Sequence, residues 1–207
     1  MIPIAAALLY ATPLEAAPLL AALAHVPATT GQEGVFLAGD VIVAFSGMGL
    51  VPARAMAAHL AEEWGVRRIV NVGVAGSLTD ALAVGNVVQV SETFGPDPAR
   101  DGVRLHGFAV AEPGLRAGAR LLSRDLPVFD AELRTRLSAQ ADLVDMEGHA
   151  VADECARRDV ECLIFKTVSD DATDRATLLA NLDRASRRMA DFVLGHLSTF
   201  RSRSLVP

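Results

Sequence analysis

The sequence predicts an α/β protein, a single-domain three-layer α/β/α sandwich around a central mixed, largely parallel sheet. Three observations carry that expectation. Apolar runs of strand length alternate with segments of helical spacing along the whole chain. The first run, residues 2–10, is apolar almost without interruption, as a strand covered on both faces must be. Polar or Gly-rich tips follow the strands, where open α/β sheets gather ligands.

The elements follow in order. Thr12 offers an N-cap and Pro13 a first helical residue, so a helix is expected over 13–24, with Leu14, Ala17, Leu20 and Leu23 on one stripe. Strands over 35–38 and 41–46 flank Gly39-Asp40, a hairpin turn. Ser46-Gly47-Met48-Gly49 reads as a tight turn, and Pro52 opens a helix that Gly65 stops. A strand over 68–72 runs into Gly73-Val74-Ala75-Gly76, and another covers 85–91. Residues 94–114 hold several Gly and Pro and form a loop-rich insertion, the candidate lid or partner contact. A short element over 116–126, a helix over 130–140 and a short extended piece at 143–144 lead to a helix over 147–158. A buried strand over 161–168 ends at Ser169-Asp170-Asp171. The last helix, 175–199, carries Leu178, Leu182, Ala185, Met189, Phe192 and Leu197 at helical spacing. No repeat or linker divides the chain, so residues 1–200 are taken as one domain. Residues 201–207 are a tail whose Leu205-Val206-Pro207 matches the start of a protease-linker sequence.

Composition narrows the function. The chain has 207 residues, 51% of them hydrophobic, and a net charge of −6. Nucleic acid and anionic membrane surfaces call for a basic excess, so neither is an expected partner. No apolar run approaches the roughly 20 residues of a membrane span, and the N-terminus lacks the basic flank of a signal peptide. Cys155 and Cys162 fit buried thiols in a reducing cytoplasm, and the five His show no metal-ligand spacing, so neither metal nor cofactor is expected. Of the 19 basic residues, Lys166 is the one lysine.

Three of the strand tips carry a carboxylate: Glu15, Glu147 and Asp170. No nucleophile elbow, phosphate loop or dinucleotide fingerprint accompanies them. Three carboxylates without a metal suit a division of labour in which one activates water, one protonates a leaving group and one holds hydroxyls. That division fits cleavage of a glycosidic bond.

Two blocks, Val144-Asp145-Met146-Glu147-Gly148-His149-Ala150 and Phe165-Lys166-Thr167-Val168-Ser169-Asp170, resemble the paired signatures of the nucleoside phosphorylase and nucleosidase superfamily. Ser46-Gly47-Met48-Gly49, Asn71-Val72-Gly73-Val74-Ala75-Gly76 and Val84-Gly85-Asn86-Val87-Val88 match its earlier blocks in order and spacing. The resemblance covers about residues 2–197 and is nearest to the methylthioadenosine/S-adenosylhomocysteine nucleosidases.

The resemblance implies a role for each matching residue. Asp170 is the acid that protonates N7 of the purine, which needs a raised pKa. Its plainer alternative is a helix cap, with Asp171 and Asp174 as rivals. Glu147 accepts the ribose 2′- and 3′-hydroxyls, against a first-turn acid favoured by the helix dipole. Met146 packs beside the sugar or simply in the core, and Asp145 matches an acidic position or is structural. Glu15 orients or deprotonates the attacking water, with Ser46 beside it; an exposed helix acid and a turn serine are the alternatives. Lys166 stands where relatives carry arginine near the nucleophile, with Glu15 as its natural partner; a snorkelling lysine is the alternative. Ser169, Gly76 and Phe129 complete the substrate-binding set, Phe129 as the base-stacking ring, although Pro127 competes for that place.

Phosphorylases of the superfamily grip phosphate with an arginine and a serine at positions that are Asn71 and Val74 here. Losing the arginine fork favours water as nucleophile. An acid at Asp170, where relatives acting on 6-oxopurines tend to carry Asn, favours adenine as leaving group. The expectation is a cytoplasmic, dimer-forming purine nucleosidase with a nucleoside substrate. A phosphate-dependent phosphorylase (adenosylhopane-type included), a futalosine hydrolase and a non-catalytic nucleoside-binding protein stand as alternatives.

Overall fold

The first apolar run becomes β1 (Ala6–Tyr10), buried at every residue. The computed structural model describes residues 3–28, 33–95, 102–105 and 115–202. Thr12 and Glu15 form a complete capping box at the head of α1 (Pro13–Ala22), with Pro13 opening the helix. A short strand that periodicity does not reveal, β2 (Val26–Pro27), precedes the expected pair β3 (Val35–Ala38) and β4 (Val41–Phe45). The helix after the Gly turn, α2 (Leu50–Glu62), starts two residues before Pro52, with Gly49 as its N-cap.

The largest departure from the sequence expectation is β5 (Arg68–Ser77), which runs straight through the glycines at 73 and 76. There is no turn because β10 (Glu161–Asp170) pairs with it in parallel from Arg68 to Gly76. β6 (Val87–Phe94) runs past the expected end at residue 91, and β8 (Arg116–Ser123) occupies most of the expected 116–126 element. Of the 94–114 insertion, only residues 94–95 and 102–105, which include β7 (Val103–Arg104), are described; the rest of the candidate lid lies outside the described residues. α3 (Ala131–Ser138) is capped by Asp130 and buries none of its residues. β9 (Leu143–Asp145) and α4 (Gly148–Arg157) follow, and α5 (Arg175–Arg201) closes the chain under an Asp174 cap.

The strands form one mixed sheet in the order β10-β6-β8-β9-β5-β1-β4-β3-β2, and β10 also pairs with β5. That extra pairing closes β5, β9, β8, β6 and β10 into a ring. Among the described residues, parallel and antiparallel pairings number five each, but the parallel ones, β5–β10 and β6–β8 above all, are the longer, so the sheet is mixed and largely parallel as expected. Alternate residues of β1 feed two cores: Ala7 and Leu9 on one face, Leu8 and Tyr10 on the other. The first core takes residues of α2 and α4, the second residues of α1 and α5, which makes three layers. Cys155 and Cys162 are buried free thiols within the first. Among the described residues no helix is long and apolar enough to cross a membrane.

Candidate active site

β5 outruns its neighbour β1, and that mismatch makes the site. β1 pairs with β5 only at Ile69–Asn71, while β9 pairs with it from the other direction at Gly76 and Ser77. Between them, one edge of residues 72–75 lacks a strand partner. Its exposed donor is met by a side chain: Val74 N–H donates to Glu15 Oε1 at 3.1 Å. Glu15 Oε2 meanwhile accepts from Thr12 N and Thr12 Oγ1 at 3.0 and 2.9 Å. Gly73 makes the approach feasible, since a Cβ there would stand 2.7 Å from Glu15 Oε1. Gly76 does the same for the acid at the far end, where a Cβ would meet Asp170 Oδ1 at 3.0 Å.

Asp170 is 3% exposed. Its Oδ1 accepts Ala172 N–H at 2.8 Å, and its Oδ2 lies 2.6 Å from Ser169 Oγ. Burial raises its pKa, opposed by those hydrogen bonds. Ser169 is fully buried and its one hydroxyl proton has two acceptors in reach, Asp170 Oδ2 and Ala75 O at 3.2 Å. When the proton goes to Ala75, the Ser169 oxygen is free to accept from a protonated Asp170.

Glu147 heads α4 and is 6% exposed. Its Oε1 accepts Gly49 N–H at 2.9 Å, while Asp125 Oδ1 accepts Leu50 N–H at 2.9 Å. Two carboxylates from elsewhere in the chain thus cap α2, which explains its early start. Gly49, at φ +104°, has the backbone freedom that this turn requires. Burial and then the Asp145 charge push the Glu147 pKa up to about 7, against Lys166 and the Gly49 N–H.

Lys166 is paired with Asp145 and not with Glu15 as its sequence position suggests; Nζ stands 2.8 Å from Asp145 Oδ2. The reason is register. Lys166 sits opposite Gly73 across the β5–β10 pair, and antiparallel β9 brings Asp145 back alongside the same stretch of β5. Burial alone pulls the lysine pKa down, but Asp145, with Glu147 and Glu15 behind it, carries it above its ordinary value.

The structure therefore brings Glu15, Glu147 and Lys166 together, with Asp170 and Ser169 further along β10, beside Gly76 of β5. Ser46, half-buried, bonds Tyr10 O at 3.3 Å and Gly47 O at 2.7 Å, beside the end of β1. Met146 is half-buried next to Glu147, and Phe129 is half-buried in the link between β8 and α3. Sequence reasoning missed the parts played by Gly73, Ser123 and Asp125. For Gly73 its place in the glycine block was a signal; for Ser123 and Asp125 there was none.

A three-layer α/β fold with buried carboxylates around a break in strand pairing defines a protein built for acid–base work on a small molecule. The chain belongs to the Phosphorylase superfamily, whose model matches residues 5–198. A 5'-methylthioadenosine/S-adenosylhomocysteine nucleosidase of Mycobacterium bovis is 30% identical to it, over 67% of this chain and 72% of that one. Among solved structures, the Helicobacter pylori 5'-methylthioadenosine/S-adenosyl homocysteine nucleosidase superposes with a TM-score of 0.80 at 21% identity, covering 96% of this chain and 99% of that one. The futalosine hydrolase of the same species gives 0.77 at 22% identity, with 96% and 99% covered.

Proposed function

We propose that this protein is a purine nucleosidase that hydrolyses the N-glycosidic bond of an adenine nucleoside of the methylthioadenosine/S-adenosylhomocysteine type. The observation that carries this is that buried Glu15 and Asp170 lie against Gly73 and Gly76 of β5, with buried Glu147 near enough to Glu15 and Lys166 to feel their charges. Asp170, its pKa raised by burial, protonates N7 so that adenine departs neutral. Glu147 accepts the ribose cis-diol, and Glu15 orients the attacking water on the opposite side of the ring. The free lone pairs of Glu15 Oε1 are suited to that water, and Lys166 lends the site its positive charge.

Phosphate fits less well. Val74 has no hydroxyl, its N–H is already given to an anionic Glu15, and the Lys166 ammonium is bound by Asp145. A dianion entering there would meet uncompensated carboxylates. The homodimer expectation finds support in large apolar side chains left exposed, among them Leu14 in the first turn of α1, Met48 and Val51 at the head of α2, and Leu126 after β8.

The test is adenine release from methylthioadenosine, adenosylhomocysteine and adenosine, with and without phosphate. Release independent of phosphate is expected. Strict phosphate dependence would make the protein a phosphorylase, and binding without release would make it a nucleoside-binding protein.

A further inference from the structure

We propose that Asp145 is a positioning residue for glycosidic cleavage: its carboxylate fixes Glu147 at the sugar and binds the Lys166 ammonium, so that Glu147 is left free for the diol. This rests on the nucleosidase reading above.

Asp145 makes more contacts than a helix cap needs. Its Oδ1 accepts from Ser123 Oγ and from Glu147 N–H at 3.3 Å. Its Oδ2 accepts from Gly148 N–H at 3.0 Å and from Lys166 Nζ at 2.8 Å. The Ser123 hydroxyl in turn accepts His149 N–H at 2.8 Å, which ties the same carboxylate to the next residue of α4. Glycine at 148 is what lets the group close in, since a Cβ there would stand 3.0 Å from Asp145 Oδ2 and 2.5 Å from Leu121 Cδ2. A cap requires one acceptor oxygen and no cation. Here both oxygens are committed, and a fully buried ammonium is part of the set.

The charges around Glu147 show why that ammonium matters. Facing Glu147 are Asp145 from β9, Lys166 from β10, Glu15 from α1 and the Gly49 N–H at the start of α2. One cation serves three buried carboxylates. Without Asp145, the ammonium has only Glu147 and Glu15 to pair with, and each such pairing removes an oxygen from the sugar or the water. With Asp145 present, Lys166 is held in place and both functional carboxylates keep their open lone pairs.

The experiment measures the pH dependence of Kd for an adenine C-nucleoside, whose glycosidic carbon–carbon bond is not hydrolysed. Asp145→Asn keeps an acceptor for the α4 N–H groups and removes the charge. Its Kd at neutral pH should rise roughly tenfold, and the pH below which binding weakens should move down, because a negative neighbour of Glu147 is gone. Lys166→Met should move the same transition up, because a positive neighbour is gone. Opposite displacements are the expected result. Transitions that stay where wild type has them, or that move together, would reduce Asp145 to a helix cap. Should Asp145→Asn fail to fold, Lys166→Met alone decides: an unmoved transition overturns the proposal. Wild-type adenine release is measured in parallel, so failure of the nucleosidase reading shows as no release and no binding, distinct from an unmoved transition in an active enzyme.

Discussion

At Glu15 the two carboxylate oxygens face different neighbours. Oε2 completes the capping box with Thr12, and Oε1 takes the Val74 N–H beside the proposed water position. The plain alternative for this residue, an exposed helix acid, fails because Glu15 is 7% exposed, although one of its oxygens does cap its own helix. For Asp170 the helix-cap alternative fails, because Asp174 caps α5; Asp170 bonds the Ala172 N–H of its own turn and keeps one oxygen at Ser169. A residue type read from sequence cannot separate such uses; the direction of each oxygen does. The arrangement depends on Gly73, at φ +152°, having no side chain. Gly73→Ala would place a methyl 2.7 Å from Glu15 Oε1 and force the carboxylate off Val74. Turnover should fall by roughly 100-fold, the scale that about 1 Å of misplacement produces, while thermal unfolding shows a folded protein. Steady-state adenine release measures it, and wild-type turnover in this variant would take Glu15 out of the chemistry.

Among the elements, those with strong local signals were legible. Thr12-Pro13 marked the start of α1, and Asp130 and Asp174 cap the helices predicted after them. What could not be read was set by pairing. β5 passes through two glycines because β10 supports it along its length, and β2 exists only because Val26 and Pro27 lie against β3. α5 shows the reverse case, a helix whose spacing foretold its buried face. Phe192, 1% exposed, meets Phe165 with ring centroids 4.9 Å apart, and Phe165 meets Phe200 at 5.6 Å. Phe192→Ala should cost about 3–5 kcal/mol of stability in urea unfolding. Leu179→Ala, at a residue 58% exposed on the same helix, should stay within about 0.5 kcal/mol. Equal losses at both positions would mean that α5 is held by something other than this aromatic cluster.

Over the whole molecule, the candidate site residues could be picked from the sequence, but their pairing could not. Glu15, Glu147 and Asp170 were legible because each follows a greasy strand, whereas the Lys166–Asp145 pair depends on β9 running antiparallel to β5, which no local pattern announces. That wiring sets a conflict between stability and function. Glu147 has a folded-state pKa of about 7, raised above the ordinary value of 4.5 mainly by burial. Between those values the folded protein binds the proton and the unfolded chain does not, so this group's contribution to stability falls as pH rises through the window. The ionised form that the proposed diol contact needs is thus the form that burial disfavours. Glu147→Gln keeps an oxygen for the Gly49 N–H and removes the ionisation. Its stability relative to wild type should therefore be greatest at pH 8 and shrink by on the order of 3 kcal/mol by pH 5, several degrees in Tm at this chain length. Taking the difference between the two proteins cancels the other titrating groups, including His149, whose lowered pKa works in the opposite direction. Thermal unfolding of both across that range checks it. A difference independent of pH would mean that Glu147 stays ionised throughout, and the site would then have no proton to give up when the sugar binds.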